Sequence, residues 1–231
     1  MDVWIEKKRV AKRKKSNNRH SDTREKIIDI SEKLFSEHGY SGVSIRNITR
    51  ESNTNLSSVF YHFGSKQDLL SAVVERWAEP MNAERASLFE ECALKDMGGA
   101  AKIDCVLRAF IGPALRLAGQ GESGVLFKKL FSHLVLDPSP EVQSVMIDCF
   151  IGSHQDFVKN LRACGLDRYP DKLAVGVLSI FGTMLYAMYD QRLVKQFTGV
   201  APFGDLEPDD QTDKIVGFLT ASIMANFINA N

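Results

Sequence analysis

The sequence predicts an all-α fold in two parts: an N-terminal three-helix head built around a helix-turn-helix, and a larger helical body. Three observations predict it. Apolar residues recur at spacings of three and four along most of the 231 residues, with no sustained strand-like alternation and no internal repeat. Good capping residues (Asp22, Ser44, Asn55 and Ser65) stand just before the first periodic segments. Breaks fall at Gly39, Gly64, Gly98-Gly99, Gly119–Gly121, Asp137-Pro138, Gly165–Tyr169 and Gly199–Pro208.

The elements follow in order. Residues 1–21 are polar and basic, and the composition predicts a disordered arm. Asp22 caps the first helix, with Glu25 as capping-box partner; Ile27, Ile30, Leu34 and Phe35 make its apolar face, and Gly39 ends it. Ser44 caps a short second helix carrying Ile45 and Ile48. Asn53–Asn55 form a tight polar turn in which Asn53 can take a left-handed conformation. Asn55 caps a third helix, where Leu56, Val59, Phe60 and Phe63 read as a buried stripe and Ser57, Ser58, Tyr61 and His62 fall on the outer side.

Gly64 breaks that helix. Ser65 caps a long fourth one, with Asp68 at its third position and Leu69, Leu70, Val73, Val74, Trp77 and Met81 along one face. Pro80 lies inside it and predicts a kink, because proline removes one backbone bond and crowds the carbonyl of Arg76. Further helices are expected near 101–118, with Pro113 as another kink, and near 123–136, 139–163, 170–197 and 209–229. The expected domains are an arm over 1–21, the helix-turn-helix head over 22–66 and the body over 67–231.

Net charge is zero but uneven. Residues 1–66 hold 14 Lys/Arg against 8 Asp/Glu, and the remainder holds 15 against 21. A basic front on an acidic body implies an anionic partner for the front end. The cysteines Cys92, Cys105, Cys149 and Cys164 sit far apart with no CxxC pair and no histidine at ligand spacing, so they read as buried free thiols in a reducing cytoplasm. No metal and no cofactor is expected. The charged N-terminus lacks a secretory h-region. Leu173 to Tyr189 is uncharged over 17 residues, the lower limit for a membrane span, but its Gly, Ser and Thr content and charged flanks favour a helix buried in the body or in a dimer. A cytoplasmic protein with no membrane partner is expected.

The head carries the chemistry. In a helix-turn-helix the third helix enters the DNA major groove and neighbouring helix ends hold phosphates. Ser and Asn side chains can bond base edges, Arg can grip guanine, and Lys and Tyr can anchor the backbone. An ordinary helical hairpin with a solvated face would use similar residues, but order, caps and charge together favour DNA. The eight Lys/Arg of residues 7–20 read either as an arm along phosphates or the minor groove, or as a solubilising tail.

Residues 23–76 resemble the DNA-binding domain of the tetracycline-repressor-like (TetR/AcrR) regulators, through LFSEHGY, SIRNIT and FYHFGSKQDLL at matching intervals. The resemblance implies all-helical homodimers, each subunit with a three-helix reading head and a ligand and dimer domain whose effector releases DNA. Carried over, it makes Arg46 a guanine contact. Asn55, Leu56, Ser57 and Ser58 open the recognition helix, and Tyr61, His62 and Lys66 become backbone or mixed contacts. Phe60 stands where the family often has Tyr, and Asn53 where it usually has Gly.

In the body, MNAERASLFE, LRAFIGPALRLA, DPSPEVQSVM and GTMLYAMYD are similar to a branch whose members include sensors of fatty acids or their acyl-CoA thioesters. Independently, Phe110, Phe127, Phe131, Phe150, Phe181, Met184 and Tyr186 suit the lining of a cavity for a small hydrophobic effector, with His154 or His133 fixing a polar end. The same stripe also suits a plain core. For self-association the small residues Gly217, Ala221 and Ala225 recur every four positions beside Phe218 and Met224, and Gly176 lies on the preceding helix. A four-helix bundle from two subunits is the expected homodimer, and its two heads would read a pseudo-palindromic double-stranded operator.

An enzyme is disfavoured: there is no Gly-rich phosphate loop, no GxSxG, no HExxH and no placed carboxylate pair. A non-regulatory architectural DNA binder remains the alternative, although it needs no large apolar body.

Overall fold

The computed structural model describes residues 22–168, 170–188 and 191–228, and every regular element among them is helical. The helices are α1 (22–38), α2 (Ile45–Glu51), α3 (Leu56–Phe63), α4 (Lys66–Leu94), α5 (Gly99–Ala118), α6 (Gly121–Leu136), α7 (Pro140–Ala163), α8 (Pro170–Met188), α9 (Arg192–Thr198) and α10 (Pro208–Ile223). A 3-10 turn (Leu166–Arg168) precedes α8, and a π-turn (Met224–Ile228) follows α10. The expected basic arm, residues 1–21, lies outside the described residues. Two compact units divide the chain. One holds the described residues up to Arg76 with Lys129–Met146; the other holds Trp77–Lys128 and the described residues from Ile147 onward.

In the first unit the local signals act as the sequence predicts. Ser44 accepts from the Asn47 amide while the Asn47 side chain accepts from the Ser44 amide, a reciprocal cap for α2. Asn53 carries φ 49°, the left-handed conformation the turn requires. Ser52, fully buried, donates to the Ile48 carbonyl at 2.7 Å and meets Thr54 Oγ1 at 2.7 Å, which fixes the turn from inside. Asn55 accepts from the Ser58 amide at 2.8 Å, and Ser65 accepts from the Asp68 amide at 3.0 Å. Asp22 is already inside α1 rather than before it.

Two apolar faces are corrected. On α1 the buried positions are Ile27, Ile28, Ser31, Glu32, Phe35 and Ser36, while Ile30 and Leu34 are half-buried. Glu32 is tolerated inside because Arg76 pairs with it at 3.1 Å. On α3 only Val59 and Phe63 are buried; Leu56 is 46% exposed and Phe60 48%. A helix of two turns buries the two positions that face its neighbours, and the adjacent row stays outside.

α4 runs through Pro80, which is exposed, without an interruption in its helical run. In the second unit α5 is the central element, with eleven buried residues from Ile103 to Ala118, and α10 packs along it. A Cβ on Gly119 would lie 2.5 Å from Pro208 Cγ, so the end of α5 meets the start of α10 with no room for a side chain. Arg116 joins the same helices by bonding Asp209 at 2.9 Å, and Arg108 bonds Asp213.

The cysteine expectation fails for one pair. Cys92 and Cys105 form a disulfide, with Cα atoms 5.9 Å apart, while Cys149 and Cys164 are not disulfide-bonded. Periodicity put each cysteine on an apolar helix face, but it carries no information on the turn between α4 and α5 that brings 92 against 105. The single helix expected over 170–197 is two, α8 and α9, with Gln191 in the turn before α9; nothing in the periodicity marks that break. α8 is long and apolar enough to cross a membrane by length and composition, and only 28% of that window is buried within the chain. Of the two expected covers, its own body or a dimer, the body alone leaves much of this helix bare: Val175, Leu178 and Tyr186 face outward.

Candidate functional site

The α2–turn–α3 unit presents a continuous outer surface. Val59 and Phe63 seat α3 in the core, and this turns Asn55, Leu56, Ser57, Phe60 and Tyr61 outward, Tyr61 with 76% of its surface exposed. Arg46 is exposed on α2. Ser58 and His62 are half-buried at the edges of this surface, and the Tyr61 and His62 rings meet edge-on at 5.2 Å. Leu56 and Phe60, expected inside, add apolar groups of the kind that contact a thymine methyl.

Lys66 departs from the mobile charge its position suggests. Its Nζ donates to the Tyr40 carbonyl at 2.6 Å and lies 3.9 Å over the Tyr40 ring. Burial pushes its pKa down, opposed by Asp137 and Glu141. Lys66 therefore ties the start of α4 to the end of the α1 segment.

The basic excess is not in the head itself. Residues 22–66 hold six Lys/Arg and six Asp/Glu, so the whole surplus of the N-terminal quarter lies in residues 1–21.

In the body, several predicted effector residues meet. The Phe110 ring stacks on Phe157 at 4.1 Å and on Phe181 at 5.5 Å. His154 stands edge-on to Phe181 at 4.8 Å, to Phe110 at 5.3 Å and to Phe150 at 6.0 Å. His154 Nδ1 donates to the Phe150 carbonyl at 2.7 Å, which leaves Nε2 as an acceptor. Burial lowers its pKa, and the positive charge of Arg85 adds to that, so it is neutral at pH 7.

Phe127 is buried against Trp77, ring centroids 5.9 Å apart, and Met184 is buried on α8. Tyr186 is half-exposed on α8, and Phe131 belongs to the first unit. His133 is exposed, also in the first unit, near Gly39. Sequence reasoning missed Arg85, which is buried against Phe110 of this cluster. Its signal was its register: Ala78, Met81, Arg85, Phe89 and Cys92 share one helical face, all buried.

The residues expected to dimerise lie mostly on the outer side. On α10, Ile215, Val216, Leu219 and Ile223 face inward, so Gly217, Phe218, Ala221 and Ala225 face outward, with Met224 half-buried. Gly176 on α8 is half-buried, and a groove lined by Val175, Gly176, Ser179, Ile180, Leu219 and Ile223 separates the two helices. Among the described residues, no group of three or more His, Cys, Asp or Glu is placed to hold a metal.

A short helix seated by two apolar residues, capped by Asn55 and approached through a Ser-Asn-Thr turn defines a helix-turn-helix protein. The chain belongs to the tetR family of bacterial regulatory proteins: that family's model matches residues 27–73, and the model of the tetracyclin repressor-like C-terminal domain matches residues 108–222. Proteins of this family are DNA-binding regulators rather than enzymes. The chain is 34% identical over 74 residues to the HTH-type transcriptional regulator LmrA of Bacillus subtilis, covering 32% of this chain and 39% of that protein. It is 27% identical over 66 residues to the HTH-type transcriptional repressor AcnR of Corynebacterium glutamicum, covering 29% of this chain and 35% of that protein. The chain thus spans well under half the length of the relatives it matches.

Solved structures extend the likeness of fold. AibR in complex with isovaleryl coenzyme A and operator DNA aligns with TM-score 0.55 at 20% identity, over 86% of this chain and 98% of that one. Bacillus subtilis FadR in complex with stearoyl-CoA aligns with TM-score 0.55 at 15% identity, again over 86% and 98%.

Proposed function

We propose that this chain is a ligand-responsive transcriptional repressor, acting in the cytoplasm as a homodimer on a pseudo-palindromic operator and released by a small hydrophobic effector. The observation that carries the reading is the outward set Arg46, Asn55, Leu56, Ser57 and Tyr61 on a rigidly capped turn-helix. In this reading Arg46 grips a guanine, and the α3 residues, with Ser58 and His62 at the edges, read bases and hold phosphates. Lys66 serves as a brace for the head. One short helix reads half a site, so two heads are needed.

The outward faces of α8 and α10 support the dimer. A row of small residues on α10 beside Phe218, 70% exposed, suits close helix contact with a second copy. The aromatic interior supports an apolar effector. Two neighbours in fold hold acyl-CoA thioesters, which makes a fatty acid or its thioester the leading class. Effector binding shifts the population toward a dimer whose heads no longer fit the operator.

Selection of bound genomic fragments by the purified protein at near-physiological salt tests this reading. A shared pseudo-palindrome is expected. Enrichment without a shared sequence would instead identify an architectural binder held by the basic arm.

A further inference from the structure

Arg85 is the one buried cation among the described residues, with 2% of its surface exposed. Its Nε donates to the Phe110 carbonyl at 2.9 Å, and its guanidinium lies 4.2 Å over the Phe110 ring. A guanidinium offers five N–H donors, so one carbonyl and one ring face satisfy only part of it. No carboxylate among the described residues pairs with it. Two other arginines on the helices around it do have acids: Arg108 takes Asp104 and Asp213, and Arg116 takes Glu84 and Asp209. Glu84, next to Arg85 in sequence, is turned to Arg116 at 2.5 Å.

A buried charge without a directly paired counter-charge is costly, and Glu84 acts on Arg85 only without contact. Burial pushes the Arg85 pKa down to about 10, which still leaves it cationic at neutral pH. Four further buried polar atoms of the same unit have no hydrogen-bond partner: Thr220 Oγ1 on α10, and Trp77 Nε1, Asn82 Oδ1 and Ser153 Oγ. The last three lie on α4 and α7, the helices that carry Arg85 and His154. The Asn82 amide nitrogen donates to the Cys149 carbonyl at 2.8 Å, which holds that side chain between the two helices. Stacked Phe110, Phe157 and Phe181 form an apolar wall on the same cluster. An apolar wall, one unanswered cation and several unanswered polar atoms are together the complement of an amphipathic acid.

We propose that Arg85 is the counter-ion for the carboxylate of a ligand held inside the body, so that the effector is a free hydrophobic carboxylic acid rather than its ester or thioester. This rests on the effector-responsive reading above. A phosphate of a coenzyme A ester shares the anionic chemistry, but a multiply charged nucleotide needs several cations, whereas one guanidinium matches one planar carboxylate.

The test is calorimetric titration of the full chain with straight-chain acids from octanoate to hexadecanoate and with 2-naphthoate, each beside its methyl ester and its coenzyme A thioester. At least one acid is expected to bind about ten- to a hundredfold more tightly than its methyl ester, the range for a charge-assisted hydrogen bond. Arg85→Met is expected to remove that preference by lowering acid affinity to that of the ester, and Arg85→Lys to keep part of it. Circular dichroism and operator binding without ligand report whether each variant is folded. If Arg85→Met does not fold, the ratio of acid to ester in the unaltered protein still decides. Equal affinity for acid and ester, or a preference that survives Arg85→Met, overturns the proposal. Binding of thioesters with no binding of free acids overturns it and leaves the effector reading standing. Binding of none of the probes overturns both.

Discussion

The head and the body put their chemistry in opposite places. In the head the functional side chains face outward, and the core under them is ordinary: Ile48, Val59 and Phe63 only hold α3 in position. In the body the chemical interest is inside, where Arg85 and His154 stand among stacked rings, while the outer faces of α8 and α10 are apolar. The same kind of substitution should therefore have opposite consequences in the two regions. An outward change in the head should alter recognition and spare stability, and an inward change in the body should alter both.

The largest expected effect is Phe110→Ala. Phe110 is fully buried, stacks on two rings and holds Arg85 through its carbonyl and its face. The loss should be about 3–5 kcal/mol of unfolding free energy, measured by urea denaturation. A loss under about 1 kcal/mol would mean that the body can collapse around the gap, and would weaken the picture of a tightly stacked interior. Next is Arg46→Ala, which should weaken specific operator binding by about 1–3 kcal/mol and relax preference at one base pair. Its melting temperature should not move, because Arg46 is exposed. Equal losses on all DNA sequences would make Arg46 a phosphate contact instead.

Asn55→Ala sits at the boundary of the comparison, since Asn55 both caps α3 and faces outward. Stability should fall by about 1 kcal/mol from the lost cap, and operator binding should fall with it. Asn55→Asp keeps the cap, so a variant that restores stability but not binding would separate the two roles. The smallest effect concerns pH. Burial holds the pKa of His154 below its ordinary value of 6.5. The unfolded chain therefore takes up a proton before the folded one does as pH falls, and the contribution of this group to stability, complete at pH 7, declines as pH drops through about 6.5. Melting curves from pH 7.5 to 5.5 should show a decline that is shallower in His154→Gln. Identical pH profiles would place His154 in a more hydrated setting than its ring contacts describe.

The two regions also differ in how much of them can be read from sequence. The head is built of local signals. Ser44, Asn53, Asn55, Gly64 and Ser65 each act on backbone within three residues, so their roles follow from the chain order alone. Errors there concern faces: Leu56 and Phe60 are apolar and in helical register, yet a two-turn helix on the surface buries only one row. The body is decided by contacts between distant segments. The Cys92–Cys105 bridge depends on a turn geometry that periodicity does not encode. The break between α8 and α9 left no mark in the sequence pattern. Arg85 hides because a charged residue in a helix beside Glu84 reads as solvated surface; only its register with Met81 and Phe89 places it inside. The aromatic cluster was partly legible: Phe110, Phe150, His154 and Phe181 do meet, whereas Tyr186 is half-exposed.

The central claim is that two copies of α3 read two consecutive major grooves of one operator. Hydroxyl-radical footprinting on a selected operator tests it most directly. The account predicts two protected patches related by a dyad and centred about 34–36 Å apart along the helix, both lost together in Arg46→Ala. A single patch, or continuous protection that survives Arg46→Ala, would contradict it.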